Sequence, residues 1–482
     1  MIKLNYKKEG GSVRYRIERD ALGEKQVPAE AYYGIHSLRS KENFDITKRG
    51  INRQMIKALA YIKKACAKAN SDVGYLDPNK AKAIMLACDE ILNGRLHGQF
   101  ITDLIQGGAG TSMNMNANEV IANRANEMLG GKKGVYDLIH PLDHVNFSQS
   151  TNDVMPTAGK IAVIRQTKKL LVELKKLQNS FSQKGNEFSD IIKIGKTHLQ
   201  DAAPMTLGSQ FDAFAAAIGK DIKRIELAID SLLEINIGAT VIGTGINADP
   251  KYAKKAIQNI AKYTGEDFKQ AKNLYDATRN IDGFLNVSSA IKVLAVNLSK
   301  IANDLRLLSS GYTNNEIILP IVQAGSTIIP GKINPVVLEV VNQVAFYVFG
   351  MDATITKACE AGQLELNVYL PVVLSSLFEG LNTIRRAART LREKAIEGMK
   401  ANIPNCHQNV INCPTLVTAL IPHIGYEEAL NIALESKETG ESIVDVTVKK
   451  GLLTEAEVNS ILNINNFTTP GIAGEEILKN KQ

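Results

Sequence analysis

Gln323-Ala-Gly-Ser-Thr-Ile-Ile-Pro-Gly-Lys-Ile-Asn-Pro335 is the stretch from which the rest of the chain is read. Gly325, Pro330, Gly331 and Pro335 exclude a regular helix or strand, so an irregular loop carries Ser326, Lys332 and Asn334 together. A hydroxyl, a cation and an amide on one short loop suit closure over an anion. The run that follows, from Val336 to Val348, is apolar apart from Glu339, Asn342 and Gln343, which predicts a buried helix. A helix starting at Pro335 has its positive end beside the loop. The plainer reading is a surface turn in front of a core helix. A nucleotide-phosphate loop is excluded, because five residues separate Gly325 from Gly331 where that pattern needs four, and Ile333 follows the lysine instead of Ser or Thr.

The chain has 482 residues, more than one hydrophobic core usually organises, so two or three domains are expected. Hydrophobic residues make up 44% and charged residues 22%, an ordinary balance for a soluble globular protein. No uninterrupted apolar run approaches a membrane span, and the stretch from Met1 to Gly10 lacks the apolar core of a signal peptide. A cytoplasmic location and no membrane partner are the expectations. The net charge of +7 is scattered, without a basic stripe interleaved with stacking aromatics, and Trp is absent, which argues against nucleic acid. Five cysteines without close pairing suit reduced thiols, and neither they nor the seven histidines show zinc-ligand spacing. No metal site is expected.

Short helices and loops are expected over the first 150 residues, with 107–118 read as a polar, glycine-rich stretch that does not form a helix core. Asn152, Asp153 and Pro156 then open a long helical region in which Leu170, Leu174, Leu177, Phe181 and Phe188 recur at helical spacing. Similar patterns occupy 210–236, 284–310, 335–358 and 369–401. Few strand signals interrupt them, so an elongated helical bundle is predicted. It breaks at Ile403-Pro-Asn-Cys-His407, and a smaller helical tail follows, with a capped helix at Thr454-Glu-Ala-Glu457. The domain expectation is 1–148, 149–404 and 405–482.

The loop resembles the aspartase/fumarase superfamily signature Gly-Ser-Ser-x-Met-Pro-x-Lys-x-Asn-Pro. Further blocks match in order: Gly107-Gly-Ala-Gly-Thr-Ser-Met-Asn-Met-Asn-Ala-Asn-Glu119, Gln149-Ser-Thr-Asn-Asp153, Lys196-Thr-His-Leu-Gln-Asp-Ala-Ala-Pro-Met-Thr-Leu-Gly208, Gly238-Ala-Thr-Val-Ile-Gly-Thr-Gly-Ile-Asn247 and Glu360-Ala-Gly-Gln-Leu-Glu-Leu-Asn367. From Tyr32 to Gly474 the likeness covers nearly the whole chain. It implies a mainly α, three-domain fold whose long central bundles associate into a homotetramer, with each active site shared by three subunits.

Removing a proton from the carbon beside a carboxylate, and expelling a group from the next carbon, places a second negative charge on that carboxylate. A fixed cation and hydrogen-bond donors must meet that charge, and a base must reach the carbon. Lys332 and Asn334 supply the first, with a helix positive end. Ser326 supplies the second if loop amides and Lys332 lower the cost of its alkoxide. The resemblance assigns Ser326 the base role. It also implies that Thr111, Ser112, Ser150, Thr151, Asn152 and Thr197 are substrate ligands, alongside Lys332 and Asn334. His198 is then a site residue and Glu339 the carboxylate that orients it. Singly, each has a plainer reading: helix capping for 150–153, a structural role for His198, backbone bonding for Asn114, Asn116 and Asn118.

Gln149-Ser-Thr-Asn-Asp153 and Glu360-Ala-Gly-Gln-Leu-Glu-Leu-Asn367 resemble the aspartase branch. The expectation is therefore reversible deamination of L-aspartate to fumarate and ammonia, without an organic cofactor. Hydration of fumarate to malate is the runner-up, and a non-catalytic homologue the third reading. Divalent-cation activation occurs in that branch, but no acidic ligand cluster here points to a site. Departures from the family are Ser310-Gly-Tyr-Thr-Asn-Asn-Glu316 in place of Ser-Gly-Pro-Arg-x-Gly, and Thr327 and Ile329 in place of Ser and Met. Ser326, Lys332 and Asn334 remain, so these are read as altered loop packing.

Overall fold

The computed structural model describes residues 14–313, 315–411, 413–463 and 465–481. The expectation for the first ten residues, the basic Lys7 and Lys8, and Asn314 in the shortened turn lie outside the described residues. The fold is mainly α, as expected, and its long helices are Thr151–Glu187, Leu207–Asp230, Asp282–Leu308, Val336–Glu360 and Leu370–Leu391. Two compact units divide the chain. One comprises residues 1–171, 223–293 and 347–383, the other 172–222, 294–346 and 384–482.

In the first unit, helices Arg53–Asp72, Pro78–Leu92 and Thr111–Met128 are longer than the sequence suggested. The stretch read as incapable of forming a helix core corrects that reading: its glycines end at Gly110, a helix starts at Thr111, and Asn114, Asn116 and Asn118 are buried in it. Buried amides persist because each finds a partner. Asn116, for example, donates to the Gln99 carbonyl at 2.9 Å and accepts from the Ile101 N–H at 2.8 Å. Helix Thr151–Glu187 carries Pro156 in its second turn. Proline has no N–H to give the Asn152 carbonyl four residues back, and the Asn236 side chain donates to that carbonyl instead, at 3.1 Å.

In the second unit, Phe181, Phe188, Phe211 and Phe214 pack edge to face, with centroids 5.3 Å apart for Phe188 and Phe211 and 5.7 Å for Phe211 and Phe214. Such pairs add about 0.5–1.5 kcal/mol each beyond their buried area. Asn342, which interrupts the apolar run after the signature loop, is buried and donates to the Ser299 carbonyl at 3.1 Å and to Asn303 at 3.0 Å. Helices Asp282–Leu308 and Val336–Glu360 are long and apolar enough to cross a membrane. In the portions of these helices that belong to the first unit, Asp352 of the second accepts from Ser288 and Lys292 of the first, at 2.7 Å each.

An element missed in the sequence is the antiparallel hairpin Ile192–Thr197 and Gln200–Thr206. It turns on His198 and Leu199, with φ of +54° and +61°, the double left-handed geometry of a two-residue hairpin turn. Neither is the Asn or Gly that usually announces such a turn, and the register shift between Ile194 and Lys196 blurs the alternation. The segment read as a break, Ile403-Pro-Asn-Cys-His407, lies instead in the helix Ile403–Ile411, and the helical tail follows it. Its core gathers Leu420, Ile432, Val446, Val458 and Ile461, and the capping box at Thr454 and Glu457 is present.

Candidate active site

Two helix starts, at Thr111 and Thr151, organise the polar residues of the first unit. The turn at 108–110 gives way to helix Thr111–Met128, where the Thr111 hydroxyl donates to the Gly108 carbonyl at 2.7 Å and remains exposed. Ser112 is half-buried beside it. One turn further, Asn114 donates to Asn146 at 3.1 Å and to the Thr151 hydroxyl at 3.5 Å, bringing this helix start to that of Thr151–Glu187. Ser150 caps the latter by accepting from the Asn152 N–H at 3.2 Å. The capping reading of this block therefore holds for Ser150. Asn152 takes a different partner: its amide donates to the Val241 carbonyl at 2.7 Å.

Beneath the block lies Lys63, fully buried, donating to Asn146 and Gln149 at 2.9 Å each. Asn146 also accepts from Asn118 at 3.2 Å. Burial pushes the Lys63 ammonium down to about 7, against the opposing pull of nearby Asp153. Asp153 is buried as well, and desolvation pushes its carboxyl up to about 7 despite hydrogen bonds from three backbone N–H groups. Neither residue was singled out as functional from sequence, although the signal existed. Lys63 sits on the inward stripe of its helix, between buried Leu59 and Cys66, where a lysine is out of place unless partnered.

In the second unit the signature stretch is an irregular loop, as read, and Val336–Glu360 follows it. The loop folds tightly on itself. A Cβ on Gly325 would stand 2.1 Å from the Lys332 carbonyl oxygen, so only glycine fits there. Asn334 closes the loop by donating to the Gly325 carbonyl at 2.5 Å. The Ser326 hydroxyl oxygen accepts from the N–H groups of Ile329 at 2.8 Å and Ile328 at 3.2 Å. Lys332 is exposed. A cavity of about 330 Å³ borders the loop base and is lined by Ile318, Pro320, Asn334, Val337 and Lys394.

Thr197 and His198 are exposed at the hairpin tip, and Glu339 lies half-buried in the first turn of Val336–Glu360. Among the described residues of one chain, His198 and Glu339 form no hydrogen bond or ion pair with each other. The hairpin base is held by Lys193, whose ammonium meets the Glu316 carboxylate at 2.5 Å with both side chains almost fully buried. Glu316 ends the segment that departs from the family, so the shortened turn still delivers a buried anchor.

The second unit thus holds a hydroxyl backed by two N–H donors and an exposed lysine on the loop that precedes a helix, and the first unit, separately, holds a cluster of hydroxyls and amides. Hydrogen-bond donors, a cation and a hydroxyl are groups that carbanion chemistry beside a carboxylate calls for. Comparison with known proteins gives the family. Residues 23–350 match the family described as lyase, and residues 416–469 match that of the fumarase C C-terminus. An aspartate ammonia-lyase from a Bacillus species is 49% identical over 463 residues, covering 96% of this chain and 99% of that protein. One from Helicobacter pylori strain J99 is 47% identical over 459 residues, covering 94% and 98%. Among solved structures, a Brucella melitensis fumarate lyase:delta crystallin bound to cobalt superposes with a TM-score of 0.92 at 44% identity, covering 95% of this chain and all of that one. A class II fumarase from Schistosoma mansoni gives 0.90 at 31% identity, covering 94% and 98%. On these likenesses over almost its whole length, the chain belongs to the aspartase/fumarase superfamily of lyases.

Proposed function

We propose that this carbon–nitrogen lyase removes ammonia reversibly from L-aspartate to give fumarate. The observation that carries the reading is the near-half identity to aspartate ammonia-lyases across almost the full chain, with Ser326, Lys332 and Asn334 in place. In the proposed reaction the Ser326 alkoxide takes a proton from the carbon next to one carboxylate. The C–H electron pair passes into that carboxylate as an aci-dianion and returns to form the double bond as the C–N bond breaks. Ammonia leaves with the bonding pair, and the proton stays on Ser326.

Two backbone N–H groups pointing at the Ser326 oxygen favour the alkoxide, an effect that depends on charge-assisted hydrogen bonds being roughly twice as strong as neutral ones. Lys332, Asn334 and the start of helix Val336–Glu360 meet the dianion. Thr111, Ser112, Ser150, Thr151 and Thr197 hold the carboxylates. Asn152 faces the ammonium: a carbonyl only accepts, so Val241 takes the Nδ2 end of the amide, and the Oδ1 end is left as an acceptor. His198 completes the site, with Glu339 orienting its ring.

The proposed assembly is a cytoplasmic homotetramer with each site drawn from three chains, so that His198 and Glu339 meet across subunits. No organic cofactor enters the proposed steps. Purified protein given L-aspartate should release ammonia and ultraviolet-absorbing fumarate in equal amounts. Malate formed from fumarate, with aspartate untouched, would move the assignment to the fumarase branch; neither activity would leave a non-catalytic homologue.

A further inference from the structure

Thr240 stands in a left-handed backbone conformation, φ +55°, which a β-branched residue avoids. Something must hold it there. Its own side chain does not, since the buried Thr240 hydroxyl has no hydrogen-bond partner among the described residues. The Asp153 carboxylate does: one oxygen accepts from both the Gly238 and the Thr240 N–H, at 3.1 Å each, while the other accepts from the Ser150 N–H at 3.0 Å. Gly238, at φ +89°, completes the turn from the other side, where a Cβ would lie 2.4 Å from that of Ala253.

The carbonyl that fixes Asn152 belongs to Val241, the next residue after Thr240. A strained turn, the carboxylate that clamps it and the amide it orients are therefore consecutive links. Strain of this kind persists only where surroundings over-determine it, and it concentrates at functional sites.

We propose that Asp153 is a positioning residue for the leaving group: it clamps the 238–240 turn so that the Val241 carbonyl holds the Asn152 amide with its oxygen toward the substrate ammonium. The inference rests on the reading of Asn152 as a substrate ligand. It assigns to the Asp153 oxygen that faces Gly238 and Thr240 an effect on the amine half of the reaction, while the oxygen that faces the Ser150 N–H is an acceptor that an asparagine in its place retains; a purely structural carboxylate at a helix start would affect both halves together.

The test is the amination direction, with ammonium chloride and fumarate varied separately and the other held saturating. Asn152→Ala should raise the KM for ammonium at least tenfold and leave that for fumarate within twofold. Asp153→Asn, which replaces an acceptor by an amide of the same shape, should reproduce this ammonium-selective rise. Adding Thr240→Gly should recover at least threefold of it, because glycine adopts the left-handed conformation without a clamp. If Asp153→Asn yields no soluble tetramer, Gly238→Ala displaces the same turn without altering charge and carries the same expectation. Should Asn152→Ala shift the ammonium KM while Asp153→Asn leaves it unchanged, or raises both KM values alike, the positioning role is overturned and the Asn152 reading stands. If Asn152→Ala itself leaves ammonium unaffected, the substrate-ligand reading falls, and the inference with it.

Discussion

The hydroxyl oxygen of Ser326 accepts a hydrogen bond from the N–H of Ile329 at 2.8 Å, inside a loop that folds back on itself at Gly325. Serine turns of this type are common in ordinary loops, so the bond alone does not distinguish a base from a turn residue. The distinction is kinetic. Ser326→Ala should lower kcat by roughly three orders of magnitude or more while changing substrate KM little, since the carboxylate ligands remain. Lys332→Ala should impair both. Near-normal turnover in Ser326→Ala would reduce the loop to a lid.

Burial moves Lys63 and Asp153 toward each other, the ammonium down to about 7 and the carboxyl up to about 7. Cys66 and Cys88 act on Lys63, and Tyr252 feels Cys66 and Asp153; burial pushes all three up and keeps them neutral through this range. The signs are opposite. Between about pH 7 and 10 the unfolded chain binds the Lys63 proton and the folded one does not, so this residue makes stability rise with pH. Between about pH 4 and 7 the folded chain holds the Asp153 proton and the unfolded one does not, so stability falls with pH. Lys63→Met should flatten the alkaline limb of the profile of Tm against pH, and Asp153→Asn the acidic limb. A profile unchanged by either substitution would show that the two groups titrate normally.

Long amphipathic helices were legible in the sequence because one apolar stripe repeats with the helix period, as Leu170, Leu174, Leu177 and Phe181 do, all fully buried. The signature loop was legible through Gly325 and its prolines. Residues 111–118 were misread because alternating asparagines look like a loop, and only tertiary partners such as Asn146 and the Gln99 carbonyl make them tolerable inside. The His198 hairpin was hidden by a turn made from non-glycine residues. Asp153 and Lys63 were passed over because their roles lie in contacts with residues about 85 positions away, which no local pattern records.

Lys193 and Glu316 tie the base of that hairpin to the segment leading into the signature loop, 2.5 Å apart with side-chain exposures of 4% and 0%. Removing one partner of a buried pair leaves a charge with no water and no counterion. Glu316→Gln should therefore cost about 3–5 kcal/mol, read as a drop in Tm. Replacing both by apolar residues of similar volume, Lys193→Met with Glu316→Leu, should recover most of that loss. If the double variant is no more stable than Glu316→Gln, the pair is not the anchor described.

The last prediction concerns the assembly. His198 and Glu339 form no hydrogen bond or ion pair within one chain among the described residues, which the shared-site proposal explains by placing their meeting between subunits. Ser326→Ala and His198→Ala chains, each inactive alone, can then rescue one another. After dissociation, equal mixing and random reassembly into closed tetramers, a site is intact when the chain donating position 326 and the chain donating position 198 both carry the native residue there. Each condition holds for half of the chains, so about a quarter of the sites should recover. If both positions came from one chain, every site would retain a defect. Native mass spectrometry establishes that mixed tetramers have formed; mixed tetramers with no activity above the separate variants would rule out a site shared between subunits.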